Sequence, residues 1–213
     1  TGSVDIKADR TDIDTLASGT NTTITGGTAL LGSVTAGKTA AAGGPLGNLT
    51  VRTTGSTTLG KLANQTVSAT GAITVDSGAD IRQGAAATGL RITANSDGVG
   101  ANALTLKAAN AIVLGEATLN GGLANGTAAQ KSAVRLTSGT ATVIDKANAA
   151  AFTATAGSTF RADGAIATAE NAAITAGGAV TLNNVTAGGT GRDITITTPG
   201  AITAAALKAS GDV

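Results

Sequence analysis

The six residues from Gly188 to Asp193, GGTGRD, have the clearest potential for chemistry. They match the first six positions of the calcium-binding repeat GGxGxDxUx, in which glycines let backbone carbonyls and one aspartate coordinate a hard cation. That repeat also requires a large apolar residue two positions after the aspartate, where this chain has Thr195. Calcium at Asp193 is therefore one hypothesis, and a plain turn with a surface aspartate is the interpretation that we favour.

Four further aspartates near the start of the chain form a second group of candidate ligands. Oxygen ligands at alternating positions suit calcium. A solvated face neutralised by Lys7 and Arg10 explains the same pattern, and we favour that interpretation. The complete set of calcium candidates is Asp193, Asp5, Asp9, Asp12 and Asp14.

Catalysis has few groups to use in this sequence. The chain contains no histidine, cysteine, tyrosine or tryptophan, which removes the commonest general base, thiol nucleophiles and aromatic platforms for sugars. The nearest constellation is Asp76, Asp80 and Arg82 in VDSGADIRQ, and a surface ion pair explains it equally well. We predict that the chain is not an enzyme and that it uses no cofactor.

Charge and hydropathy also limit the partners. The formal net charge is +1, the basic residues are scattered, and the only aromatic residues are Phe152 and Phe160. A nucleic-acid-binding surface would need clustered basic residues or aromatic rings to stack bases. No apolar run reaches the length of a membrane-spanning helix. We therefore expect no nucleic-acid partner and no membrane insertion.

Short runs of alternating apolar and polar residues, closed by turn residues, predict strands along most of the chain. Between residues 144 and 156, a high alanine content predicts one or two turns of helix instead. The predicted inward pairs are Leu49 and Val51, Ile73 and Val75, Leu90 and Ile92, Leu104 and Leu106, Val134 and Leu136, Val180 and Leu182, and Ile194 and Ile196; the apolar sites that follow a small-residue turn are Leu59, Ile112 with Leu114, Ile144, and Ile202.

An all-β chain with this spacing can form a β-sandwich, an antiparallel barrel or a solenoid of stacked coils. A sandwich core needs aromatic anchors, whereas a solenoid needs only inward apolar residues on each strand and small residues at the corners. We predict one elongated parallel β-helix over residues 1–213, with roughly ten coils of about 20 residues and a length of about 50 Å. Residues 1–46 are expected to form less regular first coils. We expect the whole to be a segment of a longer protein.

The stretch GGAVTLNNVTAGGTGRDITITTPGAITAAALKASGDV, from Gly177 to Val213, resembles the repeats of filamentous haemagglutinin-like adhesins of the two-partner secretion class. The stretches from Gly100 to Leu119 and from Gly47 to Leu62 are similar to the same repeats. This resemblance implies a right-handed parallel β-helix. It also implies an extracellular location, at the cell surface of a Gram-negative bacterium.

The function that the resemblance implies is a structural shaft of a filamentous adhesin, which mediates attachment or biofilm contacts. The partner would be a protein or carbohydrate on a host or neighbouring cell, contacted through the parent protein. The alternative is a self-assembling subunit of an extracellular filament or surface layer, with end-to-end or lateral self-association, since the terminal sequences have the same strand pattern. A third hypothesis, a polysaccharide-active β-helix enzyme, requires a cluster of acidic residues.

Overall fold

A computed structural model describes residues 2–37, 46–98, 103–123 and 126–213. Within these ranges the protein is all-β, as predicted, with nineteen strands and one short 3₁₀-helix, Ala128–Gln130. The strands are β1 (Val4–Ser18), β2 (Thr22–Ala36), β3 (Leu49–Thr53), β4 (Thr57–Leu59), β5 (Thr66–Ala69), β6 (Ile73–Ser77), β7 (Ile81–Gln83), β8 (Arg91–Thr93), β9 (Leu104–Ala108), β10 (Ile112–Asn120), β11 (Val134–Ser138), β12 (Thr142–Ala149), β13 (Phe152–Ala156), β14 (Phe160–Ala162), β15 (Ile166–Thr168), β16 (Ala172–Ala176), β17 (Val180–Ala187), β18 (Ile194–Thr197) and β19 (Ile202–Ala209).

Every pairing between these strands is parallel, and the strands form three ladders. Ladder A contains β1, β2, β3, β6, β9, β11, β13, β16 and β18. Ladder B contains β1, β2, β4, β7, β10, β12, β14, β17 and β19. Ladder C contains β1, β2, β5, β8, β10, β12, β15, β17 and β19. Along the sequence, the chain passes through ladder A, then B, then C. It then returns to ladder A, where it pairs with the strand that it formed there one row earlier.

Each ladder has nine rows over the described residues. Row 1 is β1 and row 2 is β2; rows 3 to 9 begin at β3, β6, β9, β11, β13, β16 and β18. Consistently parallel pairing of this kind excludes the β-sandwich and the antiparallel barrel. Six of the strands also close a ring, in the order β2, β4, β7, β10, β8 and β5. The ring closes because β2 and β10 are long enough to turn a corner and belong to both ladder B and ladder C.

The rows differ in length more than the sequence pattern indicates. Val4 pairs with Thr22, 18 residues further on, whereas Ile73 pairs with Leu104, 31 residues further on. The longer rows carry extra loop residues between strands, so the described residues form nine rows instead of about ten. The first two rows are formed by the two longest strands, β1 and β2, which pair with few gaps from Val4 with Thr22 to Ser18 with Ala36. Residues 38–45 of the region expected to be irregular lie outside the described ranges.

The helix predicted between residues 144 and 156 is wrong. This segment forms the end of β12 and all of β13, and it is paired on both sides by strands of the neighbouring rows. Helix propensity is a weak preference that tertiary pairing overrides. The inward positions of Ala147, Ala149, Ala154 and Ala156 are buried, so alanine here supplies the small side chains of a strand interior.

The core lies between the three ladders and is built from the inward residues of each strand. All of the predicted inward pairs from Leu49 and Val51 to Val180 and Leu182 are buried, as are Leu59, Ile112, Leu114 and Ile144. In row 9, Ile194 is buried but Ile196 is only half-buried, and Ile202 is 49% exposed. Ile202 still continues the column of Val180, so its exposure follows from its place in the last row and not from a change of face.

The two aromatic residues lie together in row 7. Phe152 and Phe160 are fully buried, and their ring centroids are 6.1 Å apart at an interplanar angle of 70°. This is the edge-to-face arrangement that aromatic quadrupoles favour. Phe152 lies between Val134 in row 6 and Ala172 in row 8, so the small alanine leaves room for the ring on one side.

Buried hydroxyl pairs mark several corners. Ser18 and Thr22, Thr53 and Thr57, and Ser138 and Thr142 are each four residues apart, with hydroxyl oxygens 2.7, 2.9 and 2.8 Å apart respectively. The first hydroxyl of each pair also donates to the carbonyl of the residue two positions on. These contacts satisfy buried polar atoms where the chain leaves one ladder for the next. The S/T-x-x-x-T pattern is not among the features predicted from the sequence.

Side-chain acceptors continue the backbone hydrogen bonding at other corners. In each case a side-chain oxygen of one row accepts the N–H of a residue one row later. The six acceptor and donor pairs are Asn21 and Asn48, Asn48 and Ala72, Asp80 and Ala111, Gln83 and Glu116, Asn171 and Asp193, and Asp193 and Asp212.

Candidate functional site

An open cleft of about 620 Å³ lies on the outside of ladder A in rows 1 to 4. Its polar side chains come from four rows: Asp9 from row 1, Thr25 from row 2, Arg52 and Thr54 from row 3, and Asp76 from row 4. These residues are distant in sequence, and the parallel register brings them together. This cleft is the strongest candidate for a functional site among the described residues.

Glycines at the corner between ladders A and B line the same cleft. A Cβ on Gly26 would lie 1.7 Å from the carbonyl oxygen of Ala8, and one on Gly78 would lie 2.2 Å from that of Thr54. Only glycine tolerates such a close approach of backbone to backbone. The tight stacking of these corners therefore leaves part of the lining as bare backbone.

Charges of both signs line the cleft. Arg52 and Asp9 are exposed and form no ion pair with any described residue. Arg52 pairs in register with Asp76, which in turn pairs with Lys107. The Lys107 Nζ lies 3.7 Å from Asp76 Oδ1, so Asp76 is partly neutralised from the side away from Arg52. The Arg52 guanidinium is left available to a ligand.

A second charged group joins row 1 to the loop between β4 and β5. Lys61 Nζ donates to Asp12 Oδ1 at 2.5 Å and also to Asp14. These hydrogen bonds to the two carboxylates raise the pKa of Lys61 above its ordinary value of 10.5. The backbone of Lys61 is fixed as well, because its N–H donates to the Gln65 side chain at 2.5 Å. The charge of Lys61 is compensated by the two carboxylates. This group therefore links row 1 to the loop after β4 and offers no free cation to a ligand.

The structure separates the constellation of Asp76, Asp80 and Arg82. Asp76 points outward on ladder A, whereas Arg82 lies on ladder B. Arg82 Nη2 donates to Asp80 Oδ2 at 2.7 Å, and the Ala111 N–H donates to Asp80 Oδ1 at 3.1 Å. The Ala111 hydrogen bond, followed by Arg82, lowers the pKa of Asp80 below its ordinary value of 3.8. Asp80 is thus a corner acceptor, and the three residues do not form a common site.

The calcium candidates are dispersed in the same way. The Asp5 Oδ2 atom lies 3.4 Å from Lys7 Nζ. Asp9 lines the cleft, and Asp12 and Asp14 contact Lys61. Asp193 accepts the Asp212 N–H at 2.9 Å. Across the described ranges, no three acidic side chains lie close enough to hold a metal ion together.

Threonine occupies the outward face of ladder A in its later rows. Two outward columns run along this ladder, separated by the inward residue between them. One of these columns is threonine in each of rows 6 to 9, at Thr137, Thr155, Thr175 and Thr197, and the other contains Thr153 in row 7 and Thr195 in row 9. All six are exposed. These columns could not be predicted from the sequence, because they depend on the register between rows.

Comparison of the chain with family models, curated proteins and solved structures finds no match. The helix that the structure describes is too short to cross a bilayer.

Proposed function

We propose that the chain is a right-handed parallel β-helix that serves as a stiff shaft segment of a filamentous, haemagglutinin-like adhesin on a Gram-negative cell surface. The ordered visits to ladders A, B and C support the winding. A right-handed path is the expected one, because crossovers between parallel strands of one sheet are right-handed in nearly all proteins.

The observation that carries the shaft role is the continuity of the three ladders. Nine rows follow one another in parallel register, around a core in which aliphatic side chains from every row are in contact. Repeated rows of this kind contact only their neighbours, and stiffness comes from the sum of the interfaces. Nine rows at about 4.8 Å each make a rod of roughly 40 Å. The parent protein would present its binding regions at a distance from the cell surface.

The rod is tested by distance measurements between spin labels. The chain has no cysteine, so two introduced cysteines can be labelled specifically. Thr50, Thr74 and Thr195 share one outward column in rows 3, 4 and 9. The pair Thr50→Cys and Thr195→Cys should give a narrow distribution near 29 Å, and Thr74→Cys with Thr195→Cys should give about 24 Å. Broad distributions, or no shortening by one row spacing, would contradict the rod.

The shaft role itself is tested by display on a Gram-negative cell. The chain is placed between an outer-membrane anchor and a fluorescent reporter, and the height of the reporter above a membrane dye is measured by energy transfer. A Gly/Ser linker of equal residue number is the control, since it behaves as a flexible coil. We expect a narrow height distribution for the chain and a broad one for the linker. Equally broad distributions would contradict a shaft.

Exposed apolar side chains in the terminal rows favour a second candidate, an end-to-end self-assembling subunit. Ile202 in row 9 is 49% exposed, and Ile6 and Leu16 in row 1 are only partly buried. Strand edges of the first and last described rows are templates for further pairing. Sedimentation over a concentration series should then show growing polymers. Ile202→Lys should suppress them, whereas Val113→Lys, at an exposed site in row 5, should not. A chain that stays monomeric rejects this candidate.

A further inference from the structure

The outward face of ladder A presents two columns of side chains in rows 1 to 6, because each strand contributes two residues that point away from the core. Column 1 contains Asp5, Thr23, Thr50, Thr74, Thr105 and Arg135, and column 2 contains Lys7, Thr25, Arg52, Asp76, Lys107 and Thr137. Arg52 and Arg135 are exposed and form no ion pair within the described part of the chain. The face therefore carries charges that its own chain does not neutralise.

The order of charges along each column is complementary to its own reverse. A second copy can face this surface across a two-fold axis that runs along the strands, midway between rows 3 and 4. Such an axis places row 3 opposite row 4 and row 1 opposite row 6, and it makes every contact occur twice. Arg52 then lies opposite Asp76 of the other copy, and Asp5 lies opposite Arg135. Two copies therefore form four ion pairs.

The other positions of the two columns are compatible with the same arrangement. Lys7 lies opposite Thr137, and Lys107 lies opposite Thr25, so no like charges oppose each other. The other four positions, all in column 1, hold threonines, whose short side chains allow the two sheets to approach. Lys107 Nζ is 3.7 Å from Asp76 Oδ1 in the same chain, which leaves the Oδ2 atom of that carboxylate to accept from a guanidinium.

Other arrangements of two copies match fewer charges. An axis through row 4 would place Asp76 opposite itself and Arg52 opposite Lys107, so like charges would meet. An axis between rows 4 and 5 would pair Asp76 with Lys107 but leave Arg52 opposite Thr137. Two parallel copies would place column 1 opposite column 2, where Arg52 would face Thr50. Because juxtaposed like charges suppress wrong pairings, the charges favour the axis between rows 3 and 4.

We propose that a second copy of this chain docks face to face and antiparallel on the outward face of ladder A, with Arg52 of each copy on Asp76 of the other and Asp5 on Arg135. This pairing goes beyond the shaft role and does not depend on it, because rows 1 to 6 contain every residue that it uses. It stops at two copies, unlike end-to-end assembly.

The size of the face predicts a weak dimer. Six rows of five residues cover about 29 Å by 17 Å, or roughly 500 Å² on each copy. A standard stable interface buries about 800 Å² on each partner. Much of the attraction is therefore electrostatic, and salt should weaken it.

Sedimentation of the full chain over a concentration series tests the dimer. We expect a monomer–dimer equilibrium that ends at the dimer. Raising the ionic strength from about 0.01 M to about 1 M shortens the screening length from about 30 Å to about 3 Å and should weaken the dimer about tenfold or more. Ile202→Lys, in row 9, should leave the dimer intact, because it lies outside rows 1 to 6.

Charge reversal tests the contact between Arg52 and Asp76. Arg52→Glu and Asp76→Arg should each weaken self-association about tenfold or more, because like charges then oppose each other twice. An equimolar mixture of the two variants should form dimers again, since each reversed charge meets its complement in the other variant. This recovery also shows that both variants are folded. Arg91→Glu is the control, because Arg91 is an exposed arginine of ladder C, and it should leave the dimer unchanged.

Disulfide cross-linking tests the orientation of the two copies. Thr23 and Thr105 lie in column 1 in rows 2 and 5, so they face each other across the proposed axis. Identical residues of the two copies are three row spacings, or roughly 14 Å, apart along the ladder. A mixture of Thr23→Cys and Thr105→Cys chains should therefore give mainly the mixed disulfide under mild oxidation.

Four outcomes overturn the proposal. They are a chain that stays monomeric at low ionic strength, an Arg52→Glu dimer as strong as the wild type, a mixture of the two charge variants that associates no better than either alone, and disulfides that form mainly between identical chains. The label-distance experiment tests the shaft separately, so failure of one proposal does not imply failure of the other.

Discussion

The outward face of ladder A differs between its earlier and later rows, although the same inward pattern supports both. In rows 3 to 5 one outward column holds Arg52, Asp76 and Lys107, whereas in rows 6 to 9 it holds only threonine. The inward neighbours are buried and apolar through rows 3 to 8. The comparison teaches that the ladder requires buried, apolar inward residues and leaves the outward residue types free to differ between rows.

The largest effect should come from the core of the later rows, where two rings replace aliphatic residues. Phe152→Ala is expected to lower the free energy of unfolding by about 3–5 kcal/mol, because a buried ring is replaced by a cavity. Its exposed outward neighbour gives the control, since Thr153→Ala should change the same quantity by less than about 0.5 kcal/mol. Chemical denaturation measures both. Similar losses for the two variants would contradict the division into inward and outward faces.

Replacement of a corner glycine should lower the free energy of unfolding by a similar amount in both regions. In Gly157→Ala the new Cβ would lie 1.9 Å from the carbonyl oxygen of Gly139, and in Gly78→Ala 2.2 Å from that of Thr54. Each should lower the free energy of unfolding by about 1–3 kcal/mol through overpacking. Gly115→Ala is the matched control, because its nearest atom would be 4.0 Å away. A large loss in only one of the two corners would show that the regions are built differently.

Removal of a corner hydroxyl should lower the free energy of unfolding by a smaller amount, and by different amounts in the two regions. Thr53 contacts the Thr57 hydroxyl and also the Ser77 hydroxyl of the next row at 3.2 Å. Within the described ranges, Ser138 contacts one other hydroxyl, that of Thr142. Removing a buried hydroxyl costs about 1 kcal/mol for each hydrogen bond lost. In denaturation experiments Thr53→Val should therefore be more destabilising than Ser138→Ala. The reverse order would contradict this account of the corners.

The smallest effect is a dependence on pH at one corner of the earlier rows. The pKa of Asp80 is lowered in the folded protein, so its contribution to stability is present above the ordinary value of 3.8 and is lost as pH falls through the lowered value. Hydrogen exchange should show that protection of the Ala111 amide falls over this acid range, and that Asp80→Asn removes the dependence. The Ala72 amide is the control, since its acceptor Asn48 does not titrate. Parallel changes at both amides would contradict the assignment.

The strands that carry large aliphatic residues at alternating positions could be predicted from the sequence, because each of them shows its own alternation. The pairs at Leu49 and Val51 or at Leu104 and Leu106 need no distant partner to be identified. The region from 144 to 156 could not be assigned in this way, because alanine favours a helix locally and only the neighbouring rows hold it as a strand. The number of residues in each row could not be predicted either, because loop insertions leave the alternation of apolar and polar residues in the strands unchanged.

The candidate cleft could not be predicted, because it depends on register between rows. Asp9, Arg52 and Asp76 are far apart in the sequence, and only the pairing of rows 1 to 4 brings them to one place. Proximity in sequence was misleading in the opposite direction: Asp76 and Asp80 are four residues apart, but Asp76 lies on the outward face of ladder A and Asp80 lies in the corner that follows it. In a chain that folds by stacking, neighbours in space are found about one row apart.

Most side-chain acceptors that link rows at the corners give the stack a direction, and only Thr70 and Ser210 among those of the described residues accept in the opposite sense. Asn21, Asn48, Asp80 and Asn171 each offer an oxygen to an N–H that belongs to the following row. A row that is already in place is therefore a template with its acceptors set, and the incoming row provides the donors. For a chain that emerges with its N-terminal end first, growth by one row at a time meets a prepared acceptor at these four corners.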